Sequence, residues 1–333
     1  MRRWMIGIGC LVASGLLALP APHPFSLDDL SRMKTVSDPQ ISPDGAWVAY
    51  TVRATDLKED KTDADIWMTS WDGKESMRLT TSKDSETTPR WSPDGRFLAF
   101  LSSRTDGNEV AQVWLLPRFG GEAEKITDFK GGVEDLDWAP DGKRLVLVVS
   151  DPDPDAADAD AKAKEKDAAK KKTKKPIVID RYKFKQDVAG YLGKQRSHLF
   201  PFAAAARKAD QVPLGGSDGR ARSWPPDGKA IAFVSKRGPE ADRTDAWQIW
   251  SLEPRAGTQP RQLTSEAVSH NEPDWGSPLS WSPDSRSIAF VLGGPDKLIY
   301  YALHTLAVAP PAGGAARVLA ADETPKVGWL VEG

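Results

Sequence analysis

Trp91-Ser92-Pro93-Asp94-Gly95, followed at once by Phe97-Leu98-Ala99-Phe100, is the stretch on which the fold turns. Proline presets φ at about −65° at the second turn position, aspartate can bond its neighbouring backbone, and glycine accepts positive φ, so Pro-Asp-Gly reads as a tight turn. With an aromatic before it and an apolar run after it, the turn joins two strands. The unit recurs as Ile41-Ser42-Pro43-Asp44-Gly45, Trp138-Ala139-Pro140-Asp141-Gly142, Trp224-Pro225-Pro226-Asp227-Gly228 and Trp281-Ser282-Pro283-Asp284-Ser285. The intervals from Pro43 to Pro93 and from Pro93 to Pro140 are nearly equal, and that from Pro226 to Pro283 is slightly longer. The interval from Pro140 to Pro226 is almost twice as long. Ser285 stands where the other copies have glycine, and it is expected to serve if its φ stays negative.

Each anchor is followed by an apolar strand, such as Trp47-Val48-Ala49-Tyr50 or Ile231-Ala232-Phe233-Val234. Two further elements recur in order. One is read as a strand ending on an aromatic: Asp65-Ile66-Trp67, Gln112-Val113-Trp114 and Gln248-Ile249-Trp250. The other closes on an apolar-threonine pair: Leu79-Thr80, Ile126-Thr127 and Leu263-Thr264. The spacing from Leu79 to Trp91 equals that from Ile126 to Trp138, whereas Leu263 to Trp281 is half as long again, which asks for a longer loop. About four short strands in roughly 50 residues is the signature of one blade, and blades must stack because none buries both faces alone. The fold class is all-β: a β-propeller of four-stranded blades, about five to six present, with the chain stopping inside a sixth repeat near Trp329.

Composition agrees with this architecture. The 333 residues are 40% hydrophobic, enough for a large core, and include 13 Trp, 27 Gly and 26 Pro. Lys+Arg 45 against Asp+Glu 47 leaves a formal net charge of -2, so nothing electrostatic recommends nucleic acid as a partner. Cys10 is the single cysteine, which excludes a disulfide framework or a thiolate zinc site within the chain. Arg2-Arg3, the apolar run Trp4 to Leu19 and Pro20-Ala21-Pro22 read as a signal peptide over 1–21, too short to span a bilayer as a helix. The expected location is periplasmic or secreted, with no stable membrane insertion after cleavage, and the propeller would occupy 22–333.

The long interval after the third anchor holds an insertion at 151–176, with five Asp in Asp151 to Asp160 and eight Lys in Lys162 to Lys175. Segregated charge and alanine bury almost nothing, so a solvated, disordered excursion is expected. The blade is expected to resume with a strand at Ile177-Val178-Ile179 and another at Ser197-His198-Leu199-Phe200, with the pattern blurred from Pro201 to Ala206 and from Pro213 to Arg222.

The Trp-Ser-Pro-Asp-Gly repeat resembles that of TolB-type propellers. Phe25-Ser26-Leu27-Asp28-Asp29-Leu30, the segment Val36 to Gly45, and Ile179-Asp180-Arg181-Tyr182-Lys183-Phe184-Lys185-Gln186-Asp187 with Gly190-Tyr191 resemble the propeller of the prolyl oligopeptidase family, in its acylaminoacyl-peptidase and dipeptidyl-peptidase branch. The resemblance implies a peptide filter set over a separate α/β-hydrolase domain with a Ser-Asp-His triad. That domain has no counterpart in these residues. Gly215-Gly216-Ser217-Asp218-Gly219 matches Gly-x-Ser-x-Gly in form, but no hydrophobic strand precedes it and Pro225-Pro226 follows, so Ser217 is not read as a nucleophile. His23, His198, His270 and His304 form no ligand spacing. No catalytic residue, metal or cofactor is assigned, and the chain alone is not expected to be an enzyme. The resemblance does suggest Arg181 as a substrate-binding residue, since a guanidinium fork pairs bidentately with carboxylate or carbonyl groups; an ion pair with Asp180, Asp187 or a neighbouring blade is the alternative. The partner would be a peptide, once a catalytic domain is joined; a free-standing TolB-like propeller with an envelope-protein partner is the other reading.

Overall fold

The computed structural model describes residues 24–30, 32–104, 110–152, 177–179, 181–186, 190–193, 195–209, 220–238, 240–255, 257–264, 268–271, 278–298 and 301–319. The segment 1–21, Asp180, Asp187, Ser217, Trp329 and all of 151–176 beyond Pro152 lie outside them.

Five antiparallel sheets follow one another along the chain. Blade 1 is β1 (Thr35–Ile41), β2 (Trp47–Asp56), β3 (Lys61–Ser70) and β4 (Ser76–Arg78), in that spatial order; blade 2 is β5 (Glu86–Trp91), β6 (Phe97–Ser102), β7 (Gln112–Pro117) and β8 (Glu124–Lys125). Blade 3 opens with β9 (Val133–Trp138) and β10 (Arg144–Ser150), is interrupted by a separate hairpin, β11 (Lys185–Gln186) with β12 (Gly190–Tyr191), and finishes with β13 (Ser197–Ala203) and β14 (Lys208–Ala209). Blade 4 is β15 (Arg220–Ser223), β16 (Ile231–Ser235), β17 (Gln248–Leu252) and β18 (Arg261–Gln262). In blade 5 the first strand is split into β19 (Val268–His270) and β20 (Ser280–Trp281), both paired to β21 (Ile288–Pro295), with β22 (Thr305–Ala309) and β23 (Arg317–Val318) outside. No sheet among the described residues contains strands of both blade 1 and blade 5.

Strand periodicity explains the stacking. Successive side chains point to opposite sheet faces, so Leu98 and Phe100 of β6 pack on Ala49, Ile66 and Met68 of blade 1, while Ala99 and Leu101 pack on Leu136, Leu145 and Leu147 of blade 3. Val146 and Val148 meet Ile231 and Phe233, and Ala232 and Val234 meet Ile288 and Phe290. Four apolar layers therefore hold five blades.

The anchors do more than turn the chain. Ser42 Oγ donates to Asp44 Oδ1 (2.6 Å) and accepts from the Trp47 N–H (2.9 Å), and the Gly45 N–H donates to the Ser42 carbonyl (2.8 Å). Ser92 and Ser282 repeat the hydroxyl bonds. The serine hydroxyl, then the Ala46 N–H and Arg118, hold the Asp44 carboxyl down at about 2. Gly45, Gly95, Gly142 and Gly228 lie at φ 64–69°. Ser285 does not keep a negative φ: it takes φ 59°, and its hydroxyl accepts from the Asp227 N–H of the preceding blade's turn (3.2 Å). The turn dictates the left-handed conformation, and serine adopts it at a steric cost.

Three of the four anchor tryptophans reach backward. Trp91 Nε1–H donates to the Gln40 carbonyl (3.1 Å), Trp138 to Arg90 (3.2 Å) and Trp281 to Ser223 (3.2 Å), a rung at three of the four blade junctions. Trp224 occupies the same place, but its buried Nε1 has no partner among the described residues. The threonines have an equally regular duty. Thr80, Thr127 and Thr264 Oγ1 accept from the N–H groups of Ile66, Val113 and Ile249 (2.9, 2.9 and 3.0 Å), extending the sheet where the fourth strand leaves it.

Three expectations need correction. Trp67, Trp114 and Trp250 sit inside their strands, not at the ends, because the ladder continues to Ser70, Pro117 and Leu252. Ile177-Val178-Ile179 forms no strand and is exposed; the third strand of blade 3 is β13. The region from Pro201 carries the end of that strand and then β14, rather than decayed pattern. Pro201 is tolerated because β14 pairs only with Phe202 and Ala203, leaving the proline on an edge.

Candidate functional site: the first-strand charge cluster and the blade 3 hairpin

The first strands of the blades gather together, and their polar side chains meet. Arg90 on β5 pairs with Asp38 on β1 (2.6 Å) and approaches Asp135 on β9 (3.9 Å); Arg222 on β15 pairs with the other Asp135 oxygen. Asp38 also accepts from Gln40 Nε2 (2.8 Å). Four blades are thereby tied through one run of alternating charge. Local backbone sets this up: β1, β5, β9 and β15 each slip register within a few residues of the anchor, and Asp38 and Thr88 occupy positive φ there (53° and 59°). A bulge of this kind bends the strand and re-aims its side chains.

Two carboxyls on β9 are driven apart. Burial would raise Asp135, but the guanidinium groups of Arg222 and Arg90 outweigh it and hold the group below its ordinary value. For Asp137 burial wins over the same two arginines, and the carboxyl is raised. The cluster thus contains one firmly ionised and one reluctantly ionised aspartate on neighbouring positions of one strand face.

Arg181 precedes the β11–β12 hairpin. Its Nε and Nη2 donate to Asp242 Oδ1 (3.1 and 2.8 Å) and its Nη1 to the Gly193 carbonyl (3.1 Å). Asp242, on the β16–β17 connection of blade 4, also accepts from the Tyr182 and Lys183 N–H groups, and Lys183 pairs with Asp245. Burial raises the Asp242 carboxyl less than Arg181 and the two N–H donors lower it. The hairpin is thereby fastened across the junction of blades 3 and 4, displaying Tyr182 and the stacked pair Phe184–Tyr191 (6.4 Å between ring centroids) at the surface. Arg181 therefore has a neighbouring-blade partner in hand.

Among the described residues no group of three or more His, Cys, Asp and Glu could hold a metal. His198 contacts Asp151 (3.0 Å) and His270 packs on Phe290 (5.4 Å). Sequence reasoning did not find Asp38, Arg90, Asp135, Asp137 and Arg222. The available signal was charge recurring within the three residues before the first four anchors.

Residues 45–112 match the family model described as acylamino-acid-releasing enzyme, N-terminal domain. Eighty residues are 38% identical to the peptidase YuxL of Bacillus subtilis, covering 24% of this chain and 12% of that protein. Seventy-one are 31% identical to dipeptidyl-peptidase 5 of Porphyromonas gingivalis, covering 21% and 10%. In three dimensions the chain superposes on the acylaminoacyl peptidase of Pyrococcus horikoshii with a TM-score of 0.61 at 19% identity, over 87% of this chain and 40% of that one. The chain is similar to the N-terminal propeller of a prolyl oligopeptidase-family peptidase. A TolB structure from Agrobacterium tumefaciens shares the fold as well, with a TM-score of 0.52 at 15% identity over 86% of this chain and 80% of that one.

Proposed function

We propose that this chain is the substrate-filtering propeller of an exported serine peptidase acting on peptides, with hydrolysis carried out by a catalytic domain. The match of residues 45–112 to the acylamino-acid-releasing enzyme N-terminal domain supports the reading most directly. The charged first strands suit a filter. Fixed, mutually paired charges on them offer polar contacts to a peptide backbone. No nucleophile and base are assigned from the sequence, so purified protein is expected not to turn over aminoacyl or peptidyl substrates by itself.

The test joins the propeller to the catalytic domain of a relative. Arg181→Ala should raise the KM for peptides with little change in the unfolding midpoint. Asp242→Asn, which unfastens the same hairpin but leaves the guanidinium, separates the roles. If both variants lose stability alike and neither alters kinetics on folded protein, Arg181 is a fastening and not a substrate contact. A second reading, a TolB-like propeller that binds another envelope protein, draws on the Agrobacterium neighbour, of which the chain covers 80%. A co-purifying envelope protein together with unchanged peptidase kinetics in the fusion would favour it.

A further inference from the structure

Blades 2 and 4 carry the same short motif at the same register. Ala99-Phe100-Leu101-Ser102-Ser103-Arg104 follows the Trp91 anchor as Ala232-Phe233-Val234-Ser235-Lys236-Arg237 follows Trp224, and Thr87 pairs with Leu101 as Arg220 pairs with Val234. In blade 2 the serine and arginine close on a carboxylate. Ser102 Oγ donates to Glu86 Oε1 (3.3 Å), Arg104 Nη1 lies 3.8 Å from the same oxygen, and the Arg104 guanidinium stacks on Trp114 (4.3 Å). Glu86 is fully buried there. In blade 4 the arginine again stacks on the strand tryptophan, Arg237 on Trp250 (5.2 Å). The two donors, however, are unused: Ser235 Oγ and Arg237 Nη1 are both buried without a partner among the described residues. Counted in sequence, the residue five before the anchor tryptophan, as Glu86 is before Trp91, is Gly219; it carries no side chain and lies outside the described residues.

We infer that blade 4 holds a carboxylate cradle, built from Ser235, Arg237 and Trp250, whose anion is supplied by a bound peptide. A buried Nη1 without a counter-ion has already lost its own hydration, so an arriving carboxylate gains a charge-assisted hydrogen bond there at reduced desolvation cost. Burial lowers the Arg237 guanidinium below its ordinary value with no acid opposing it, as expected of a site awaiting an anion. The peptide could present its C-terminal carboxylate or an acidic side chain. Only the choice of peptides as ligand rests on the function proposed above. Because the cradle is assayed on this chain with no catalytic domain attached, gating can fail while binding holds, and the reverse.

The experiment is calorimetric titration of the full chain with three probes: an N-acetylated tripeptide with a free C-terminus, its C-terminal amide, and that amide carrying one glutamate. One or both carboxylate-bearing probes should bind and the neutral amide should not; which one binds names the source. Arg237→Gln should weaken binding at least tenfold. Gly219→Glu, restoring the residue that fills the cradle in blade 2, should abolish binding and raise the unfolding midpoint, and it serves if the arginine variant fails to fold. Equal binding of the neutral amide, no binding by any probe, or unchanged affinity in Gly219→Glu would overturn the inference. So would a gain of affinity in Asp218→Asn, which would show that the chain fills the cradle itself.

Discussion

Thr127→Val removes one hydroxyl and keeps the side-chain volume, which makes it a clean probe of the threonine that ends blades 1, 2 and 4. Thr127 is 5% exposed. Its Oγ1 accepts from the Val113 N–H (2.9 Å) and donates to Gln112 Oε1 (2.8 Å). With valine in place, the Val113 N–H is buried without an acceptor, which costs about 1–3 kcal/mol. Gln112 loses one of two donors but keeps the Phe129 N–H (3.0 Å), so its share is smaller, about 0.5–1 kcal/mol. The expected loss is therefore about 1.5–4 kcal/mol, or roughly 3–16 °C in midpoint at about 2–4 °C per kcal/mol. Thr81→Val, at an exposed neighbour, is the control and should stay within about 0.5 kcal/mol of the parent. Urea unfolding followed by far-ultraviolet circular dichroism measures both. Thr264→Val should cost about as much as Thr127→Val, because Thr264 has the same two partners, Ile249 and Gln248. A Thr127→Val loss no larger than the control's would refute the assignment of this hydroxyl to the sheet.

Trp138→Phe should destabilise more than Trp224→Phe by about 1 kcal/mol, because only Trp138 gives up an indole bond to a neighbouring blade; equal losses in urea titrations would sink the idea of a tryptophan ladder. Asp137→Asn should stabilise the chain at pH 7. Its folded carboxyl is raised above the unfolded value, so ionisation disfavours the fold at neutral pH, and that penalty fades as pH falls towards about 4; the gain over the parent should shrink along with it in unfolding scans across that range. Asp135→Asn should do the reverse, since Asp135 is lowered: it forfeits stability that the parent holds above about pH 4, and a parent no more stable than the variant at pH 7 would contradict the pairing with Arg222 and Arg90. Ser285→Gly trades about 1 kcal/mol of left-handed strain against one exposed bond to Asp227, so its midpoint should stay level or rise slightly, and a clear fall would show that the hydroxyl dominates.

The repeat made the blades legible because turn chemistry is local: Pro-Asp-Gly dictates its own geometry whatever surrounds it. The same locality hid the charge cluster. Arg90 and Asp38 are 52 residues apart, and Arg222 and Asp135 are 87, so nothing in either neighbourhood announces the pair; only the stacking of the blades does. The third strand of blade 3 was misplaced for a different reason. Ile177-Val178-Ile179 has strand composition, yet it follows a long charged insertion and finds no edge to pair with, whereas Ser197–Ala203 contains a proline and pairs with β10 along its whole length. Register outweighed propensity. Arg181 was legible as a residue with work to do, and its link to Asp242, 61 residues on, was not.

The register slip near the start of each first strand has a bearing on engineering. In blade 5 the first strand is interrupted at the corresponding place. There β19 and β20 pair with the same strand on either side of residues 271–279, and the stretch from Leu263 to Trp281 is half as long again as its counterparts in blades 1 and 2. The ladder tolerates this because the pairing already skips a residue there, so added length leaves the flanking pairs in place. The matching spot at Thr88, at positive φ in the slip of β5, is therefore a natural grafting port, placed where the blades converge. Loops introduced there would project from the hub of the assembly while the turns, the indole rungs and the apolar layers around them stayed in register.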